Sequence, residues 1–118
     1  MGLNTTNYLE NMRLPMTFNP IDYLILGHIA QDVKTDEIAL GGSATYAALT
    51  AKALGLKVGI ATVCTEETAQ KQELSGISIA FQPTDETTTF ENIDSSAGRI
   101  QYIHKLAPKI ETKLIPDI

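Results

Sequence analysis

The sequence predicts a mixed α/β fold with a parallel strand–helix–strand unit at its centre, and three observations lead there. Asp22 to Ile29, DYLILGHI, is a nearly continuous apolar run, as in strands buried on both faces. Gly41 to Gly55, GGSATYAALTAKALG, reads as a helix with both ends marked. Val58 to Val63, VGIATV, is a second apolar run, so a strand, a crossover helix and a strand follow one another, the arrangement of a right-handed parallel unit.

Residues Met1 to Pro20 are polar, with scattered apolar residues and no period, and are expected to form an extension ahead of the fold. Thr5 to Met12 has helix potential, but Pro15 and Pro20 stop any longer element. In the first strand, Gly27 marks either a close backbone approach or a bend near the carboxyl end. Asp32 follows Ile29 by three residues, on the side of an open α/β sheet where ligands bind. Val33 to Leu40, VKTDEIAL, is polar in its middle, and Thr35-Asp36 offers a turn, so a hairpin flap is expected there.

The helix follows. Ser43 is the expected N-cap, Ala44 to Leu54 carries strong helix formers, and Gly55 stands where a left-handed cap belongs. Gly41 and Gly42 let backbone N–H groups approach a ligand at the positive end of the helix dipole. From local chemistry alone, a tight strand-to-helix turn is the readier account of them. Beyond the second strand, Glu66 to Leu74 forms a short helix bounded by Ser75-Gly76, its two leading glutamates complementing the dipole. Ile77 to Gln82 alternates as a half-covered strand. Thr87 to Ile93 and Arg99 to His104 pair as a hairpin around Asp94–Gly98, and the tail from Lys105 has no long element. With only two helices the unit looks incomplete for a doubly wound sheet.

Composition excludes several function classes. A net charge of −5 without a basic run excludes a nucleic-acid footprint and a polybasic membrane anchor. No apolar stretch approaches the length of a membrane span. The single cysteine, Cys64, makes no internal disulfide, which points to a reducing cytoplasm, and it reads as a small buried strand residue. With the separated histidines His28 and His104 it forms no zinc spacing. His28 either faces a pocket or is buried and hydrogen-bonded. Arg99 is either an anion clamp or a solvated hairpin charge.

The strand DYLILG, Asp32, a short flap, then GGSATYAALTAKALG and a strand beginning KVG resemble the N-terminal part of the ribokinase-like carbohydrate kinases. TTTFENIDSSAGRIQYIH is similar to that family's next hairpin, and the resemblance covers roughly residues 21 to 110. It implies the N-terminal part of an αβα sandwich with a small β lid. Residues 1–20 would be an extension and 21–118 a fragment of the domain, with lid strands around 33–40 and 87–104. A sugar or nucleoside would lie between lid and sheet. Asp32 would accept hydrogen bonds from its hydroxyls, and Gly41 and Gly42 would offer N–H groups. Ser43, Tyr46 and Arg99 complete the expected substrate-binding set, with no catalytic residue and no metal ligand.

The sequence departs from the family pattern in three places. Tyr46 stands where the family often has an asparagine, which points away from simple ribose. CTEET after Val63 lacks the usual glycine-aspartate turn. The family's C-terminal signature, an Asp-Thr, an anion hole of glycines and the Asp that acts as base, is absent. The resemblance therefore implies a kinase cut before its catalytic centre. ATP and Mg²⁺ would serve the full-length parent, and neither is expected on this piece. The other expected partner is a second copy of the chain, through the lid or an exposed sheet edge. The alternative reading is a non-catalytic binding or assembly module that reuses the half-fold. A dinucleotide site is disfavoured, because no G-x-G-x-x-G follows the first strand.

Overall fold

The computed structural model describes residues 20–115. Apart from Pro20, the expected extension lies outside the described residues, as do its helix at Thr5 to Met12 and the last three residues of the chain. The order is β1 (Tyr23–Leu26), β2 (Ala30–Lys34), β3 (Glu37–Gly41), α1 (Gly42–Ala53), β4 (Val58–Cys64), α2 (Glu66–Ala69), β5 (Ser78–Pro83), β6 (Thr89–Ser95) and β7 (Gly98–Lys105). Single 3₁₀ turns sit at Gln72–Leu74 and Thr112–Leu114.

The strands form two sheets. The first is parallel, in the order β1-β4-β5. Its central strand, β4, is buried at every position, as its unbroken apolar run requires. α1 crosses this sheet with Ala44, Ala48 and Ala51 inward, one helical stripe of small side chains packed on Ile25, Val58 and Ile60. Gly55, at φ 87°, closes the helix: its N–H donates to Lys52 O at 2.9 Å and the Leu56 N–H to Ala51 O at 3.1 Å. A smaller apolar cluster of Val63, Ala107 and Leu114 fastens the tail to the sheet.

Four details differ from the sequence expectations. First, DYLILGHI is not one strand. β1 stops at Leu26, and the run stays apolar because Ile29 is fully buried in the connection, its N–H donating to Thr62 Oγ1 at 3.0 Å. Second, Asp32 lies within β2, so the flap extends to Ala30 and Gly41. Third, α1 begins at Gly42 rather than after Ser43. β3 stays extended through Gly41 (φ −153°) and feeds the helix directly, leaving no place for a separate cap residue. Fourth, Glu66 to Leu74 breaks into α2 and a 3₁₀ turn, because Lys71 is extended between them. Thr65 caps α2, accepting from the Thr68 N–H at 3.1 Å.

The second sheet has the order β3-β2-β6-β7, with β2 and β6 parallel and both hairpins antiparallel. Residues in register share a face. Asp32 stands beside Phe90, Asn92 beside Gln101, and Asp94 beside Arg99. Alternation therefore puts Ala30, Asp32, Phe90, Asn92, Gln101 and Arg99 on one face. The other face carries Ile93, Ile100 and Tyr102, which are 42%, 49% and 48% exposed. Threonine hydroxyls anchor this sheet to the first. Thr87 Oγ1 accepts from the Thr65 N–H at 2.9 Å and meets Thr68 Oγ1 at 2.8 Å, while Thr88 Oγ1 accepts from the Ala107 N–H at 3.0 Å.

Burial at the end of β4 pushes the Cys64 thiol from its ordinary 9.0 up to about 12. The fold holds the neutral thiol, so its contribution is intact below pH about 9 and is lost as pH rises from there toward 12. Denaturant melts are expected to show a steeper loss of stability above pH 9 in the wild type than in Cys64→Ala. Parallel pH profiles for the two proteins would contradict this placement of the thiol.

Candidate functional site

A cleft of about 860 Å³ opens where β1 ends, α1 begins and the second sheet turns its polar face inward. Leu26, Gly27 and His28 form its floor, Gly42, Ser43 and Tyr46 its helical wall, and Asp32, Phe90, Asn92, Arg99 and Gln101 its sheet wall. It joins an apolar surface to a few convergent polar groups, the common composition of a small-molecule site.

Asp32 is half-buried and is the one carboxylate on the lining among the described residues. Its side chain lies across Gly41. A Cβ on Gly41 would come within 2.7 Å of Asp32 Cγ. Gly41 is extended, a conformation open to any residue, so the carboxylate's position is what requires a glycine there. Gly42 is different. Its φ is +85°, and a Cβ would meet Ala30 Cβ at 3.1 Å and His28 O at 3.2 Å. Gly42 makes the strand-to-helix turn and also lines the cleft, whereas Gly41 sits behind Asp32 and gives it room.

The first turn of α1 has no side-chain cap and no acidic residue. Its backbone N–H groups lack intrahelical acceptors, and Gly42, Ser43 and Ala44 turn this positive end toward the cleft. Ser43 is exposed there. Tyr46 is 57% exposed on the cleft wall. Arg99 reaches the cleft from β7 and makes no ion pair among the described residues. His28 lines the cleft and is half-buried rather than buried, and its Nε2–H donates to Pro108 O at 2.6 Å, which sets the tautomer.

Asp32, Gly42, Ser43, Tyr46 and Arg99 thus share one cleft, with Gly41 directly behind it. Sequence reasoning missed Phe90, Asn92 and Gln101. Gln101 Nε2 donates to Asn92 Oδ1 at 2.9 Å. The signal was available: two-residue alternation from Arg99 puts Gln101 on the same face, and the hairpin register puts Asn92 beside it.

Among the described residues no group of three or more His, Cys, Asp or Glu side chains could hold a metal ion. No described helix is long and apolar enough to cross a membrane.

No protein-family model matches the sequence, and no curated protein matches it. Solved structures do. A pyrophosphate-dependent kinase in the ribokinase family, in a sulfate complex, matches at TM-score 0.67 and 27% identity over 79% of this chain and 36% of its own. A pyrophosphate-dependent kinase in the ribokinase family, complexed with a pyrophosphate analog and myo-inositol, matches at 0.65 and 28% over 79% and 35%. The Methanocaldococcus jannaschii nucleoside kinase matches in fold, at 0.53 and 16% identity over 69% and 36%. The chain spans about a third of the length of these structures. Its architecture is part of the ribokinase-like fold.

Proposed function

We propose that the chain is the N-terminal, acceptor-binding part of a kinase that phosphorylates a hydroxyl of a sugar, a related polyol or a nucleoside. The observation that carries this reading is Asp32, a half-buried carboxylate in the cleft, with its space kept free by Gly41. A carboxylate accepts from two hydroxyls at once, and such charge-assisted bonds are the strong ones. The open N–H groups of α1 receive hydroxyl oxygens from the other side, and the second sheet serves as the lid over the acceptor. Its strands run over 30–41 and 89–105, and their place across the cleft from α1 supports this reading of the sheet.

The chain's residues bind and orient the acceptor. The base and the donor site belong to the remainder of a kinase of this kind. The donor, ATP by the family resemblance or pyrophosphate as in the two neighbours at 27% and 28% identity, supplies the phosphoryl group with Mg²⁺. The full-length gene product is expected to transfer phosphate to at least one of fructose, myo-inositol and adenosine when given Mg²⁺ with either donor. A folded product that phosphorylates none of the three would favour the non-catalytic module.

The apolar outer face of Ile93, Ile100 and Tyr102 supports a second copy as the partner, through the lid. Sedimentation of the same preparation is expected to give a dimer, and Tyr102→Lys a monomer. A monomeric wild type would remove that partner. The single buried cysteine supports a cytoplasmic location.

A further inference from the structure

We propose that the end of the N-terminal extension, residues 13–19, packs back into an apolar groove between β1 and α1, so that the chain covers its own exposed flank as far as the cleft wall. The groove, of about 400 Å³, is lined by Tyr23 of β1, by Tyr46, Thr50 and Leu54 along α1, and by Leu56, and no charged side chain lines it. β1 is the edge strand of its sheet. Tyr23, Tyr46 and Leu54 are 46%, 57% and 76% exposed, so the flank is bare among the described residues. Large apolar side chains gathered in one groove mark a surface that something covers.

The place where the chain enters the described structure names the occupant. Pro20 and Ile21 line the adjoining cavity together with Leu56, which belongs to both. Residues 1–19 therefore leave from the Leu56 end of the groove. As a whole the extension has no period, but its last residues before Pro20, RLPMTFN, alternate: Leu14, Met16 and Phe18 fall on one side, Arg13, Pro15, Thr17 and Asn19 on the other. Leu14 and Asn19 each precede a proline, which disfavours helix and favours an extended run. Extended, Leu14 to Phe18 spans about 13 Å. Tyr46 to Leu54 spans about 12 Å along α1, and Tyr46, Thr50 and Leu54 follow one face at four-residue spacing. Three apolar side chains thus meet three helix positions: Phe18 at Leu54, Met16 at Thr50 and Leu14 at Tyr46. A segment tethered beside its groove meets it at an effective concentration of about a millimolar, an advantage that a separate chain lacks. Tyr46 also lines the cleft, so the docked segment reaches the cleft's outer wall.

Hydroxyl-radical footprinting of the full-length gene product, read by mass spectrometry, tests the docking. It compares the wild type with a variant that starts at Pro20 and with the double substitution Met16→Ser, Phe18→Ser. Tyr23 and Tyr46 are expected to be oxidised slowly in the wild type and several-fold faster in both variants. Tyr102, on the outer face of the second sheet, is expected to keep one rate in all three. The double substitution alters only residues ahead of the described fold, so it reads the docking even where the shortened variant does not fold. Equally slow oxidation of Tyr23 and Tyr46 in the wild type and the double variant would mean that another part of the polypeptide, or a second copy, covers the groove, and overturns the proposal. Equally fast oxidation in the wild type and the double variant would mean a groove left bare, and overturns it as well.

Discussion

Gly41→Ala is expected to weaken acceptor use about as much as Asp32→Ala, and to add nothing to it when the two are combined. Asp32→Ala removes a charged hydrogen-bond acceptor, an interaction of about 1.5–3 kcal/mol, hence roughly ten-fold or more in kcat/KM. Gly41→Ala leaves the backbone unstrained, because φ −153° is extended. The new methyl group occupies the place of the Asp32 carboxylate, 2.7 Å from its Cγ, and the side chain has to swing away. The fold loses little, since only the end of a side chain moves. Once Asp32 is alanine, the methyl group displaces nothing. Two changes that act through one group are non-additive, and the double-variant cycle on the full-length product reads that directly. Additive losses would mean that Gly41 acts independently of Asp32. An Asp32→Ala enzyme with unaltered kcat/KM would take Asp32 out of acceptor binding.

Gly42→Val is expected to damage the fold as well as the site. A β-branched residue at φ +85° is strained by about 1–3 kcal/mol. Its Cβ would also press on Ala30 Cβ at 3.1 Å and His28 O at 3.2 Å, and overpacking adds roughly 1–3 kcal/mol. His28 belongs to the connection after β1 and Ala30 to the start of β2, the strand that carries Asp32 into the cleft. Denaturant melts should show a large loss of stability for Gly42→Val beside a small one for Gly41→Ala. Equal stabilities for the two variants would contradict the different roles assigned to these adjacent glycines.

Much of this was legible locally. α1 was readable because alanine spacing, helix-forming composition and Gly55 are all signals within one short segment. β4 was readable because a strand buried on both faces must be apolar throughout. The start of β2 was hidden, because Ile29 is as buried in a connection as it would be in a strand. The parallel pairing of Asp32 with Phe90 joins segments far apart in the chain and leaves no local mark. Gly41 is an intermediate case. A turn at Thr35-Asp36 pairs Lys34 with Glu37 and so brings Ala30 opposite Gly41, placing Asp32 diagonally across. That register follows from the hairpin expected in the sequence, but the direction of the carboxylate does not.

The most direct test of the central claim, that the cleft between α1 and the second sheet binds the acceptor, is a ¹⁵N-resolved NMR titration of this chain with fructose, myo-inositol and adenosine. The account predicts saturable shifts for at least one of them, concentrated at Asp32, Gly42, Ser43, Asn92 and Gln101. Shifts confined to other surfaces, or none with any of the three, would contradict it.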